Sequence, residues 1–186
     1  MSIPNFPEGE PRSDALDKPF IYYKELTTAN KWWIGIYLLF TIVVAAGYHR
    51  IDVEYAHMMI IAYGLVPQLF FYMILYGSLR NFRYYLVWLA FSVIHLAMYF
   101  AMKDDKRLNS IQGNPVALLG NTIVLLLVFQ LLRWVSLKTQ HMEPVAPNKG
   151  GNTDDFDHRK VTLIDTALFF TYFAAYGFLA YFSLGS

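Results

Sequence analysis

Residues 116–135 read VALLGNTIVLLLVFQLLRWV, a run of twenty residues whose single charged side chain is Arg133. A helix rises about 1.5 Å per residue, so about 20 apolar residues cross the roughly 30 Å hydrocarbon core of a bilayer. In lipid, a helix satisfies all of its own backbone hydrogen-bonding groups. This stretch therefore predicts a transmembrane helix.

Four further stretches have the same character, and the five together make up more than half of the chain. They are residues 33–47, 57–77, 84–102 and 161–184. The composition agrees, since 56% of the residues are apolar and only 16% are charged, against about 25% charged in an ordinary soluble domain. We predict an all-α polytopic membrane protein, a bundle of five transmembrane helices.

Basic residues are distributed unevenly between the two sides of this bundle. The side that holds the N-terminus carries eleven of the fifteen Lys and Arg residues, and the other side carries Arg50, Lys103, Lys106 and Arg107. Because positively charged loops resist translocation, the N-terminus is expected in the cytoplasm and the C-terminus outside. The pattern favours a multi-pass protein of a bacterial inner (plasma) membrane.

The segments between the spans define the domain organisation. We predict a partly disordered cytoplasmic N-terminal segment (1–31), a four-helix transmembrane part (32–136), a flexible cytoplasmic linker (137–160) and a fifth transmembrane helix (161–186). Residues 18–30 mix apolar and charged side chains and are compatible with a short interfacial helix. The linker is rich in Pro, Gly, Asn and charged residues, a composition typical of flexible connections.

Composition also excludes several functions. A formal net charge of +1 leaves no basic surplus for nucleic acid, and the absence of Cys excludes disulfides, thiolate metal sites and iron–sulfur clusters. The sequence contains no G-x-S-x-G, H-E-x-x-H or glycine-rich phosphate-binding motif. An enzyme is therefore not favoured, and no cofactor is predicted.

Polar residues within the spans are informative because an unpaired polar group in lipid is costly. Helical spacing aligns several of them into stripes: His57 and Gln68 on the second span, Ser92, His95 and Tyr99 on the third, and Asp165, Tyr172 and Tyr176 on the fifth. One interpretation is hydrogen bonding between helices. The other is a wet internal path for a solute or a proton. The fourth span is mainly Leu and Val, so we expect it to be the most exposed to lipid.

The histidines and Asp165 are further candidates for chemistry. His49, His57 and His95 all belong to the outer half, and neutral imidazoles ligate haem iron, zinc or copper. A haem-binding redox anchor is the least favoured of the functions considered. Asp165 lies near the start of the fifth span, where an interfacial ion pair with Arg80, Arg83 or Arg133 is expected rather than a proton relay.

These patterns lead to one functional hypothesis and one alternative. The hypothesis is a noncatalytic subunit or scaffold of a membrane complex, with the lipid bilayer and other integral membrane proteins as its partners. Aromatic-rich spans with interleaved small residues and the lack of catalytic motifs support it. The alternative is a small-solute or ion transporter that uses the polar stripes on the second, third and fifth spans.

Overall fold

The computed structural model describes residues 20–109, 113–147 and 160–185. These residues form an all-helical bundle without a β-strand. The helices are α1 (Thr28–Gly47), α2 (Val53–Met73), the short α3 (Tyr76–Leu79), α4 (Phe82–Met102), α5 (Ala117–Gln140) and α6 (Leu163–Gly185), with a 3-10 turn at Lys106–Leu108. All helices except α3 are long and apolar enough to cross a membrane. The prediction of five such helices is confirmed.

Helix α5 is the centre of the bundle and packs against α2, α4 and α6, whereas α1 packs on α2 and α4. Half of the most apolar stretch of α5 is buried, compared with 17% for α1 and 11% for α6. The expectation that this span is the most exposed to lipid is therefore wrong. Leu and Val suit contacts between helices as well as contacts with lipid, so their abundance does not decide which surface they face.

Helix α2 passes very close to α5 at Gly64. A Cβ atom at this position would lie 3.0 Å from Cβ of Leu118. Small residues let helix backbones approach in this way. Many side chains of the core are aromatic, and they include the fully buried rings of Tyr63, Tyr72 and Phe129.

The N-terminal segment differs from the sequence prediction. Residues 20–27 form no helix, and the remainder of the expected interfacial helix at 18–30 either lies in the first turn of α1 or outside the described residues. Two sets of hydrogen bonds hold this segment against the start of α4. The amide of Phe82 donates to the Tyr22 carbonyl at 3.0 Å. The Asn81 side chain accepts from Lys24 N at 3.0 Å and donates to Lys24 O at 2.9 Å. These bonds replace those that a helix would make.

The first part of the connection between α5 and α6 packs against the bundle. α5 continues to Gln140, and His141 ends it in the left-handed conformation with φ 55°. The chain then turns inward, so that Glu143, Val145 and Ala146 are buried. Residues 141–147, which belong to the predicted flexible linker at 137–160, therefore pack as part of the bundle. Residues 148–159 of this linker lie outside the described part of the chain.

Candidate functional site

Three polar side chains from three helices form a continuous chain in the middle of the bundle. His95 of α4 lies with Nε2 2.7 Å from the Tyr37 hydroxyl of α1 and with Nδ1 2.8 Å from the Thr122 hydroxyl of α5. His95 and Thr122 are fully buried. A neutral imidazole has one donor and one acceptor nitrogen. Hydroxyls on both sides therefore satisfy the ring in either tautomer.

Gln68 of α2 extends this chain to two further helices. Its Nε2 donates to Thr122 Oγ1 at 3.0 Å and to the Leu118 carbonyl at 2.8 Å. The hydroxyl of Tyr172, on α6, donates to the backbone carbonyl of Gln68 at 2.6 Å. We call Tyr37, Gln68, His95, Thr122 and Tyr172 the core network. It connects all five long helices.

A second hydroxyl pair reinforces the α1 side of the network. The Tyr63 hydroxyl donates to Thr41 Oγ1 at 2.9 Å, and Thr41 in turn donates to the Tyr37 carbonyl at 2.8 Å. The rings of Tyr37 and Tyr63 are stacked with their centroids 5.5 Å apart, and His95 meets the edge of Tyr63 at 4.8 Å. The network is thus enclosed by aromatic rings on this side.

The core network contains one buried group without a partner. Among the described residues, Oε1 of Gln68 is buried and accepts no hydrogen bond. A buried acceptor of this kind is unusual in a native structure and often marks a water or an ion. A purely structural role does not explain why Gln68 Oε1 has no hydrogen-bond donor.

The other residues of the predicted stripes lie apart from this network. Ser92 is buried but donates to the Leu89 carbonyl of its own helix at 2.7 Å. Tyr99 and Tyr176 are half-buried at the edges of the two apolar core clusters. His57 is half-buried near the start of α2, with no hydrogen-bond partner for Nε2 in the described residues. The stripes therefore contribute Gln68, His95 and Tyr172 to the network, but not these four residues.

The three histidines considered for metal or haem do not come together. Among the described residues, no group of three or more His, Cys, Asp or Glu side chains is placed to hold a metal ion. His49 is exposed, its Nδ1 lying 3.8 Å from Asp105. Both ring nitrogens of His95 face hydroxyls, so this ring has no nitrogen directed at a ligand. Within the described part of the chain, the three histidines therefore do not form a common ligand set.

Asp165 caps a helix. Its amide donates to Thr162 Oγ1 at 3.1 Å, while its Oδ2 accepts from the Thr162 amide at 2.9 Å. This reciprocal pair is a capping box, which satisfies otherwise unpaired amides at the start of α6. Oδ1 also accepts from Gln140 Nε2 at 2.9 Å and from the Val145 amide at 3.2 Å. Asp165 thus joins the end of α5, the connection and α6.

Arg133, one of the arginines expected to pair with Asp165, binds Glu143 instead. Its Nε and Nη2 donate to the two carboxylate oxygens at 2.8 and 2.6 Å. Arg80 Nε lies 4.0 Å from the same carboxylate, and its Nη2 donates to the Pro144 carbonyl. All three side chains are at most 8% exposed. We call Arg80, Arg133 and Glu143 the arginine cluster.

Sequence reasoning missed several residues of these two sites. Thr122 was not among the predicted polar residues, because its span is mainly Leu and Val. Glu143 was assigned to a flexible linker on composition. The signal for the cap was present, since Thr162 and Asp165 have the T-x-x-D spacing before an apolar run. No comparable local signal exists for the partnership of Thr122 with His95, which are 27 residues apart.

Comparison of the chain with protein-family models, with curated proteins and with solved structures finds no significant match.

Proposed function

We propose that the protein is a noncatalytic integral subunit of a membrane complex, a rigid bundle that presents α6 to another membrane protein. The core network is the observation that supports this proposal most strongly. Its polar groups bond mainly to one another, across all five long helices. Such bonds hold helices together in lipid. Burial of apolar side chains between helices contributes little there, because lipid tails are equally apolar.

The outer surface of α6 supports the proposed contact. Only 11% of its most apolar stretch is buried in the bundle. Phe170, Phe178 and Tyr181 are exposed by 65, 62 and 75%. A Cβ atom at Gly177, between these rings, would meet nothing within 4 Å. Large rings around an open glycine suit close packing by a second transmembrane helix.

The proposed setting is a bacterial inner membrane, with the N-terminus in the cytoplasm and the C-terminus outside. The support is the distribution of Lys and Arg, which places eleven of the fifteen on the side of the N-terminus. In this orientation, the arginine cluster and the Asp165 cap lie at the cytoplasmic end of the bundle.

The experiment is purification of the tagged protein from its own membranes in a gentle detergent, with quantitative mass spectrometry of accompanying proteins. We expect a stoichiometric membrane partner for the wild type. Replacing Phe170 and Phe178 with Ala should lower the recovered partner at least tenfold. Phe100→Ala, at a 59% exposed ring on α4, is the matched control and should retain the partner.

Two results would contradict the proposal. One is isolation of the wild-type protein without a stoichiometric partner in the mildest detergents tested. The other is equal partner recovery from the α6 variant and the Phe100 control. Melting temperatures close to that of the wild type for both variants are required, so that loss of the partner is not a consequence of unfolding.

The second candidate function is transport of a small solute or ion, which the unpartnered Oε1 of Gln68 favours. Its test is proton flux into proteoliposomes that contain a trapped pH-sensitive dye. Transport predicts flux well above that of empty liposomes, and a loss of at least tenfold in Gln68→Leu or His95→Leu at unchanged folded yield. Ser92→Ala, which alters a hydrogen bond within α4 only, is the control. Equal loss of yield and flux supports the structural role.

A further inference from the structure

A lateral groove lies between α1 and α2, with its floor against α4. It encloses about 190 Å³. Its rim consists of exposed side chains, namely Trp33, Ile36 and Phe40 of α1, Val66 of α2, and Ile74 directly after α2. Its floor includes the buried side chains of Pro67, Leu75 and Trp88. The groove is therefore open on the side of the bundle that faces away from the core.

The lining excludes polar ligands. Apart from Tyr37 and the two tryptophans, every side chain that lines the groove is aliphatic, Phe or Pro. The Tyr37 hydroxyl points to His95 at 2.7 Å and is used in the core network. A cavity of about 150 Å³ with an apolar lining stays dry and takes up a hydrocarbon such as benzene. An apolar lining gives water few hydrogen bonds, so it favours a hydrocarbon as the occupant.

The long axis of the groove indicates which hydrocarbon it takes. Trp33 lies near the start of α1 and Ile74 directly follows α2, whereas Phe40 and Val66 lie seven and eight residues further into these helices. At about 1.5 Å per residue, the groove extends about 10 Å from the membrane boundary toward the bilayer centre. Trp33 lies at the end of the groove nearest the membrane boundary, and Trp is enriched at membrane interfaces. This direction is that of a lipid chain in a bilayer.

We propose that this groove binds one acyl chain of a membrane phospholipid, inserted between α1 and α2 until it contacts Trp88. The loose packing of α1, of which 17% of the most apolar stretch is buried, leaves room for the chain. Pro67 lies on the floor of the groove, where its compact ring leaves more space than a longer side chain would. The proposal is independent of the proposed subunit function, because it concerns a different face of the bundle.

Tryptophan fluorescence tests the proposal directly. The variant in which Trp32, Trp33 and Trp134 are replaced with Phe retains Trp88, which is only 3% exposed. It is reconstituted into phosphatidylcholine vesicles with or without bromine atoms on the acyl chains, since bromine quenches tryptophan on contact. We expect brominated chains to lower Trp88 emission at least twofold, most strongly when the bromine lies midway along the chain.

A matched pair of substitutions on α1 identifies the path of the chain. Ile36 lines the groove and is 54% exposed, while Ile42 is 55% exposed on the same helix and does not line it. Ile36→Phe should fill the groove and reduce the quenching of Trp88 at least twofold. Ile42→Phe should leave it unchanged. Val66→Phe, on the opposite wall, provides a second filling variant if Ile36→Phe does not fold.

Two results overturn the proposal. The first is Trp88 emission that brominated chains do not change, which would mean that the groove is closed or is occupied by an isoprenoid or a protein segment. The second is equal quenching in Ile36→Phe, Val66→Phe and Ile42→Phe, which would mean that bromine reaches Trp88 by another route. The partner experiment on α6 is unaffected by either result.

Discussion

At the residue scale, the structure shows how polar side chains are accommodated in an apolar bundle. Each hydroxyl, amide or imidazole of the core network meets a partner on another helix, and several serve two partners at once. Thr122 is the clearest example, because its single oxygen lies within 3.0 Å of both Gln68 Nε2 and His95 Nδ1. Removal of this oxygen therefore takes one hydrogen-bond partner from Gln68 and one from His95.

Thr122→Val, which keeps the shape and removes the hydroxyl, should destabilise the bundle by about 1–3 kcal/mol, because His95 Nδ1 is left without its partner. Thermal or denaturant unfolding in detergent measures this change. The control is Thr171→Val on α6, where the exposed hydroxyl donates only to the Ala167 carbonyl of its own helix. The control should differ from the wild type by less than about 0.5 kcal/mol. Equal effects of the two substitutions would argue against the network.

Glu143→Gln should be more severe. It leaves the buried guanidinium of Arg133 without a compensating charge, and loss of one partner of a buried ion pair costs about 3–5 kcal/mol. The matched control is Asp104→Asn, in an exposed pair with Lys103 at 3.9 Å, whose loss should cost at most about 1 kcal/mol.

Hydrogen exchange of the Val145 amide gives a second readout of Glu143→Gln. Its protection should fall in Glu143→Gln, because residues 141–147 lose their anchor. Unchanged protection would contradict this role for the cluster.

At the element scale, the ends of the helices are decided by contacts that the apolar pattern does not contain. α1 begins at Thr28, five residues before the apolar run, because Thr27 caps it by accepting from Asn30 N at 3.2 Å. α2 ends at Met73, and only the last two residues of the predicted span (57–77) are helical again, as the start of the short helix α3 (Tyr76–Leu79). Hydropathy locates a span, whereas caps and turns fix where its helix stops.

The contact of α2 with α5 yields a test at this scale. Gly64→Val should destabilise the bundle by about 1–3 kcal/mol, because the added side chain meets Leu118 and forces the two helices apart. Gly177→Val on α6 makes the same change where nothing lies within 4 Å, and it controls for the intrinsic effect of Val in a helix. Melting temperatures in one detergent compare them. A similar decrease for both would mean that the close approach is unimportant.

At the scale of the whole molecule, the bundle has two well-packed regions and two loosely held surfaces. α5 links α2, α4 and α6, and the arginine cluster together with the Asp165 cap closes one end. α1 and α6 expose most of their surface. The centre of the bundle is thus closely packed, whereas α1 and α6 form most of its exposed faces.

The proposed orientation is testable because the chain has no native Cys. Asp104→Cys places a single thiol at an 88% exposed position in the connection after α4, and Lys138→Cys places one near the end of α5. In intact cells, a membrane-impermeant maleimide should label Asp104→Cys only. Labelling of Lys138→Cys should require permeabilised cells. The opposite pattern would reverse the orientation, and labelling of both in intact cells would contradict a bundle that spans the membrane in this way.

The sequence by itself determined the class of the fold and the number of long helices, because bilayer thickness and backbone hydrogen bonding constrain apolar runs so strongly. It also identified Gln68, His95 and Tyr172 as polar residues in apolar surroundings, since their cost in lipid is a local property. Their partners were decided only by the tertiary structure. Tyr37 and His95 are 58 residues apart, and no local pattern records which helices become neighbours. The central position of α5 and the burial of Glu143 depend on the same pairing of distant segments.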